Sequence, residues 1–159
     1  CFTKKVIGLI KNDYKKDAKL TNMLSSSYMN VGNESKARDV LEEFLDKNWN
    51  KSLLDLYVYS SVDPKASLKK FAEWDKRFGE RSEFQLNHGK VCESQKLWGK
   101  AQLHYQKSIE LSPSVEAFVR LAEIFKIIKD ESAAIVNWKN AAYHSLKKIN
   151  SSKRLQLEE

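Results

Sequence analysis

Apolar and small residues recur along this chain at spacings of three and four, the period of helices with one buried face, and no stretch keeps the strict alternation of a half-buried strand. The runs place helices near 3 to 14, 17 to 30, 34 to 47, 50 to 60, 64 to 78, 82 to 95, 99 to 111, 115 to 128 and 132 to 148. Punctuation falls between them. Gly32 and Asn33 end one helix and cap the next, Asp63 supplies a cap with Pro64 at the first helical position, and Asp130 opens the last long run. Pro113, flanked by Ser112 and Ser114, cannot continue the helix that ends at Leu111.

The same side-chain sizes then return along the chain. Gly89 and Cys92 are followed by Ala101, Tyr105, Ser108 and Pro113; about one repeat later come Leu121, Ala122 and Phe125, then Ala134, Trp138 and Ala141. Earlier, Ser67, Phe71, Trp74 and Gly79 take corresponding places, and Leu24, Ser25, Tyr28, Ala37, Leu41 and Phe44 form a looser set. Small residues let paired helices approach and large ones fill the gap, which is the signature of the tetratricopeptide unit, a helix-turn-helix of about 34 residues. The expected fold is all-α, a tetratricopeptide-type superhelix of about four helix pairs. Residues 1–149 form the repeat domain, with units near 18–47, 48–81, 82–114 and 115–148 after an N-terminal helix, and 150–159 a polar tail.

Composition agrees. Among 159 residues, five Gly, two Pro and 31% charged side chains disfavour a turn-rich β protein and favour helices with solvated faces. The net charge of +7 draws acidic partners, anionic membranes or nucleic acid at long range, but most of the excess is lysine scattered over polar faces. Two cysteines, Cys1 and Cys92, give no disulfide framework, and the apolar run Val6 to Ile10 is too short to span a bilayer. A start at Cys1 suggests a piece of a longer protein.

The residues Leu97, Trp98, Gly99, Lys100, Ala101 and Gln102 add a Trp-Gly that generic repeats do not specify at an interhelix turn. Together with Trp49, Leu53, Leu56, Tyr57, Asp63, Pro64, Ala72, Glu73, Trp74, Gly89 and Cys92, this stretch resembles the HemY-type proteins of Gram-negative bacteria. The resemblance implies the C-terminal repeat domain of a protein of late haem biosynthesis. It also implies anchoring in the inner membrane by an N-terminal segment outside this chain, with the domain facing the cytoplasm. A partner protein or peptide segment, such as another haem-biosynthesis enzyme, would be held on it. Two further readings stay open: a tetrapyrrole-handling accessory domain of a pathway enzyme, and a repeat scaffold of another envelope or secretion assembly. The flavin-dependent oxidase that shares the family name needs a G-x-G-x-x-G fingerprint, which this chain lacks.

No catalytic motif stands out: there is no Walker loop, H-E-x-x-H, EF-hand or G-x-S-x-G. No cofactor and no metal are expected, and the chain is read as a binding domain and not an enzyme. His88 and Cys92 share a helix face, but they are packing positions of the repeat, and His104 and His144 read as isolated surface or packing residues. The tryptophans Trp49, Trp74, Trp98 and Trp138 fit packing positions better than a base-stacking platform, so nucleic acid is not the expected partner. Counting from the packing positions, the groove lined by first helices receives Asn22, Ser26, Met29, Asn30, Tyr59, Leu86, Lys90, Glu93, Val119, Glu123 and Lys126.

Overall fold

The computed structural model describes residues 14–60 and 63–157, with side chains as far as 151. Among them are eight α-helices and no strand: α1 (Ala18–Asn30), α2 (Glu34–Leu45), α3 (Lys51–Tyr59), α4 (Pro64–Phe78), α5 (Ser82–Ser94), α6 (Trp98–Leu111), α7 (Val115–Ile127) and α8 (Glu131–Leu157), preceded by a 3-10 turn at Tyr14–Lys16. The helix expected near 3 to 14 lies, but for its last residue, outside the described residues, as do Cys1 and the apolar run Val6 to Ile10.

Helix starts are fixed by side-chain oxygens that satisfy otherwise orphaned backbone N–H groups. Asp17 accepts from the N–H of Lys19 and Leu20, Asn33 from Lys36, Asn50 from Leu53, Asp63 from Lys65 and Ala66, Ser114 from Ala117, and Asp130 from Ala133. The starts of α5 and α6 differ, because neither Arg81 nor Leu97 caps its helix with a side-chain hydrogen bond.

Three of the interhelix turns share one geometry. Gly32, Lys96 and Lys129 adopt left-handed backbone with φ of 72°, 56° and 64°. In each turn the next residue's N–H closes on a carbonyl five residues back: Asn33 on Tyr28 at 2.9 Å, Leu97 on Cys92 at 3.0 Å, and Asp130 on Phe125 at 2.9 Å. A lysine in this region has its Cβ crowded by backbone, which glycine avoids. Lys96→Gly should therefore raise stability by about 0.5–1 kcal/mol, the relief of strain being partly offset by a more flexible unfolded chain. Urea denaturation of the variant against the parent measures it.

The chain divides into two compact units, Cys1–Phe78 and Gly79–Glu159. In the first, α1 and α2 pack together and on the 3-10 turn, and α3 packs on α2. Tyr14, Leu24, Tyr28, Ala37 and Val40 form one cluster there, with Leu20 and Met29 packed against it. A second group gathers around Tyr57, whose ring meets Phe71 at 6.3 Å and Trp74 edge-on at 5.2 Å. Asp46 ties this group to α4: it accepts from Trp74 Nε1 and Lys70 Nζ, both at 2.8 Å, while its carbonyl accepts from Arg77.

In the second unit α5 packs on α6, α6 on α7 and α7 on α8. Ala101, Tyr105 and Ser108 of α6, Leu121 and Ala122 of α7, and Ala134 and Ala141 of α8 are buried, as the recurring sizes require. Trp138 is the exception. At 37% exposure it is not the core residue its position suggests; the Lys126 ammonium lies over its ring instead. Helix α8 also continues to Leu157, past the end expected near 148, since no Gly or Pro interrupts it and Ser151 bonds back to the carbonyl of Lys148.

Candidate partner-binding face

Helix α5 is unusually buried for an amphipathic helix. Phe84, Gln85, Leu86, Asn87, His88, Gly89, Val91 and Cys92 are all inside, while the charged residues Glu83, Lys90 and Glu93 stay half-buried. Leu86, expected as an apolar anchor of the groove, is among the buried residues and packs.

Lys90 and Glu93 each meet a charge on α7. Lys90 Nζ lies 2.6 Å from Glu116, and Arg120 lies 3.4 Å from Glu93 and 4.0 Å from Glu116 on its own helix. Glu93 also accepts from the hydroxyl of the buried Tyr105. Burial, reinforced by the Glu93 carboxylate, holds the Tyr105 phenol well above its usual pKa, so it stays a neutral donor. Two cations and two anions are thus laced into an ordered, half-exposed lattice. Surface pairs of this kind add little stability on their own.

Glu116 and Arg120 were missed by sequence reasoning, which placed Val119, Glu123 and Lys126 on the face. Those three are the residues one repeat beyond Leu86, Lys90 and Glu93, so they are equivalent positions and not touching ones. The residue that meets Glu93 lies 27 positions on, about two helical turns short of a repeat, because neighbouring helices contact with a stagger. Opposite charges at that shorter offset are the signal that could have found them. Of the three, Val119 is exposed, Glu123 half-buried, and Lys126 holds its Nζ 5.9 Å above the Trp138 ring.

Beside this lattice, a cleft of about 620 Å³ opens between the start of α7 and the middle of α8, lined by Ser114, Glu116, His144, Lys147 and Lys148 among others. Glu116 belongs to both cleft and lattice.

The expected face in the first unit is sparser. Asn22 and Asn30 are exposed on α1, and Ser26 donates to Asn22 Oδ1 at 3.2 Å. Met29, expected in the groove, packs instead against the cluster around Tyr28. Tyr59 at the end of α3 is 90% exposed.

Trp74 is enclosed, Trp49 leans on Phe78 at 5.3 Å, and Trp98 is half-buried in the first turn of α6. Gly99 beside it faces open space, so no packing contact demands a glycine there. No described helix is long and apolar enough to cross a membrane.

The helix pairs, their turns and their small-to-large packing define a tetratricopeptide fold, and comparison with solved structures agrees. MamA superposes with a TM-score of 0.69 over 93% of this chain and 87% of its own, at 18% identity. MamA from Desulfovibrio magneticus gives 0.68 over 91% and 86%, at 12% identity. YrrB, described as a TPR protein with an unusual peptide-binding site, gives 0.62 over 87% and 76%, at 15% identity. No protein-family model matches the chain, and no curated protein matches it either.

Proposed function

We propose that this chain is a scaffold that holds a protein segment, and that it does no chemistry on what it binds. The observation that carries the reading is the lattice of Lys90, Glu93, Glu116 and Arg120. These side chains keep between 21% and 50% of their surface although each is held in an ion pair. Charges already held in place lose little further freedom when a partner arrives, which lowers the cost of binding. Their signs balance, so the face selects a segment of alternating charge and not a polyanion. That argues for a peptide or helix over nucleic acid, whose binding draws on unbalanced Lys and Arg. The likeness to YrrB, a peptide-binding protein of the same fold, favours the same class of ligand.

The narrower part of the proposal is that the partner is an enzyme of late haem biosynthesis and that the domain is held at the bacterial inner membrane by a segment outside this chain. The residues from Trp49 to Gln102 that resemble HemY-type proteins support it. Crosslinking in bacterial membranes, followed by identification of the neighbours, tests this part: recovery of envelope or secretion components without tetrapyrrole enzymes would refute it while leaving the scaffold standing. For the face itself, Lys90→Glu combined with Lys126→Glu should weaken capture of the crosslinked partner at least tenfold, about 1.4 kcal/mol. Unchanged recovery by a variant with intact helical circular dichroism would rule the face out.

A further inference from the structure

His88 and Cys92 stand one helical turn apart on α5, and α6 brings His104 against them. Their ligand atoms, one imidazole nitrogen from each histidine and the Cys92 sulfur, all lie within 4.8 Å of one another. His104, read from the sequence as isolated, in fact stacks on His88 with ring centroids 3.7 Å apart. His88 and Cys92 are buried and His104 half-buried.

The surroundings fix how His104 presents itself. The Gly79 carbonyl can only accept, so the Gln85 amide atom 2.7 Å from it is the nitrogen. That turns Gln85 Oε1, an acceptor, toward His104 Nδ1 at 2.7 Å. Nδ1 therefore donates, so that in the neutral imidazole the lone pair falls on Nε2, with Gln85 an outer partner of the kind that orients ligand histidines.

We propose that His88, Cys92 and His104 form a site for one borderline-soft divalent transition-metal ion of the Zn²⁺ class, with water completing a tetrahedron. One thiolate and two imidazoles are a donor set such ions take, whereas Mg²⁺ and Ca²⁺ need oxygens. Tetrahedral Zn–N and Zn–S bonds put donor atoms about 3.3–3.7 Å apart. The present spread therefore closes by about 1 Å as side chains rotate, and the histidine stack opens. Binding exchanges the thiol S–H of Cys92 for a metal–sulfur bond, and the proton leaves to solvent. Cys92 has no exposed surface, so a bare ion fits where a haem macrocycle would have to part α5 from α6.

The test uses the whole chain with Cys1→Ser, which leaves Cys92 as the single thiol, stripped of metal and titrated with Co²⁺ and then Zn²⁺. One equivalent of Co²⁺ should produce a thiolate-to-cobalt charge-transfer band that Zn²⁺ abolishes. Cys92→Ala should remove the band, and His104→Ala should weaken Zn²⁺ at least tenfold. His144→Ala, the third histidine, should leave both unchanged. Absence of the band, or equal Zn²⁺ affinity in Cys92→Ala and its parent, would overturn the site. Should His104→Ala lose helical circular dichroism, alkylation of Cys92 decides the matter: Zn²⁺ should slow it severalfold, and an unaltered rate means no site.

Discussion

Trp74→Ala should cost about 4 kcal/mol, a large share of the 5–15 kcal/mol that holds an ordinary domain together. Its side chain is 2% exposed and has four distinct attachments. The ring meets Tyr57 edge-on at 5.2 Å and Phe71 at 5.7 Å, the Lys70 ammonium sits 5.8 Å from its centroid, and Nε1 donates to Asp46 at 2.8 Å. Truncation leaves a cavity among rings that cannot all collapse into it and removes one donor from Asp46, although Lys70 remains. Trp74→Phe separates the effects, since it keeps most of the ring and loses only the N–H and some volume; about 1.5–2 kcal/mol is expected. Urea unfolding followed by circular dichroism gives both values. Hydrogen exchange should show protection lost in α2, α3 and α4. A cost below 1 kcal/mol for the alanine variant would mean that the aromatic group around Tyr57 is not the core of the first unit.

Asp46 shows why such a group was only half legible from the sequence. Ser67, Phe71 and Trp74 fall at repeat positions, so their burial could be read from spacing alone. Asp46 falls at none, yet it accepts from Lys70 and Trp74 across 24 and 28 residues, and its backbone accepts from Arg77. Helix limits were legible for a related reason. A cap is local chemistry: Asp17, Asn33, Asn50, Asp63, Ser114 and Asp130 each bond a backbone N–H two or three residues away, a distance that sequence order already encodes. The end of α8 had no such mark and was placed too early.

The candidate face was read less well, and the reason is geometric. A repeat period tells which residues are equivalent, and Val119, Glu123 and Lys126 on α7 stand one period beyond Leu86, Lys90 and Glu93 on α5. Which side chains meet is set by stagger between helices, a quantity no single repeat contains. Hence Lys90 and Glu93 were expected on the face while the residues they meet, Glu116 and Arg120, were not. Leu86 and Met29 fail differently: both are apolar at positions that point toward the groove in outline, and both fold back onto their own unit because burying an apolar side chain is worth about 1.5–3 kcal/mol. His104 escaped because a lone histidine carries no period; only the helix pairing of α5 with α6 places it on His88.

That pairing is close at Gly89, and Gly89→Ala should destabilise the second unit by about 2 kcal/mol although alanine is the better helix former by about 1 kcal/mol. A Cβ at this position would stand 2.4 Å from Tyr105 Cε1 and 2.6 Å from Cδ1, inside any permissible contact. A surface side chain would swing aside, but Tyr105 is fully enclosed and its hydroxyl is bonded to Glu93, which is paired in turn with Arg120. The strain therefore moves the α5–α6 spacing and the charge lattice on α5 and α7 together. Tyr105→Phe should not rescue Gly89→Ala, because the clashing carbons remain. Tyr105→Leu should restore part of the loss, since it removes those carbons and refills the gap, so the two substitutions together cost less than their sum. A double-mutant cycle from urea denaturation reads this coupling directly. Strict additivity would show that Tyr105 does not pack on Gly89, and with that the route from the core to the lattice through Glu93 would be broken.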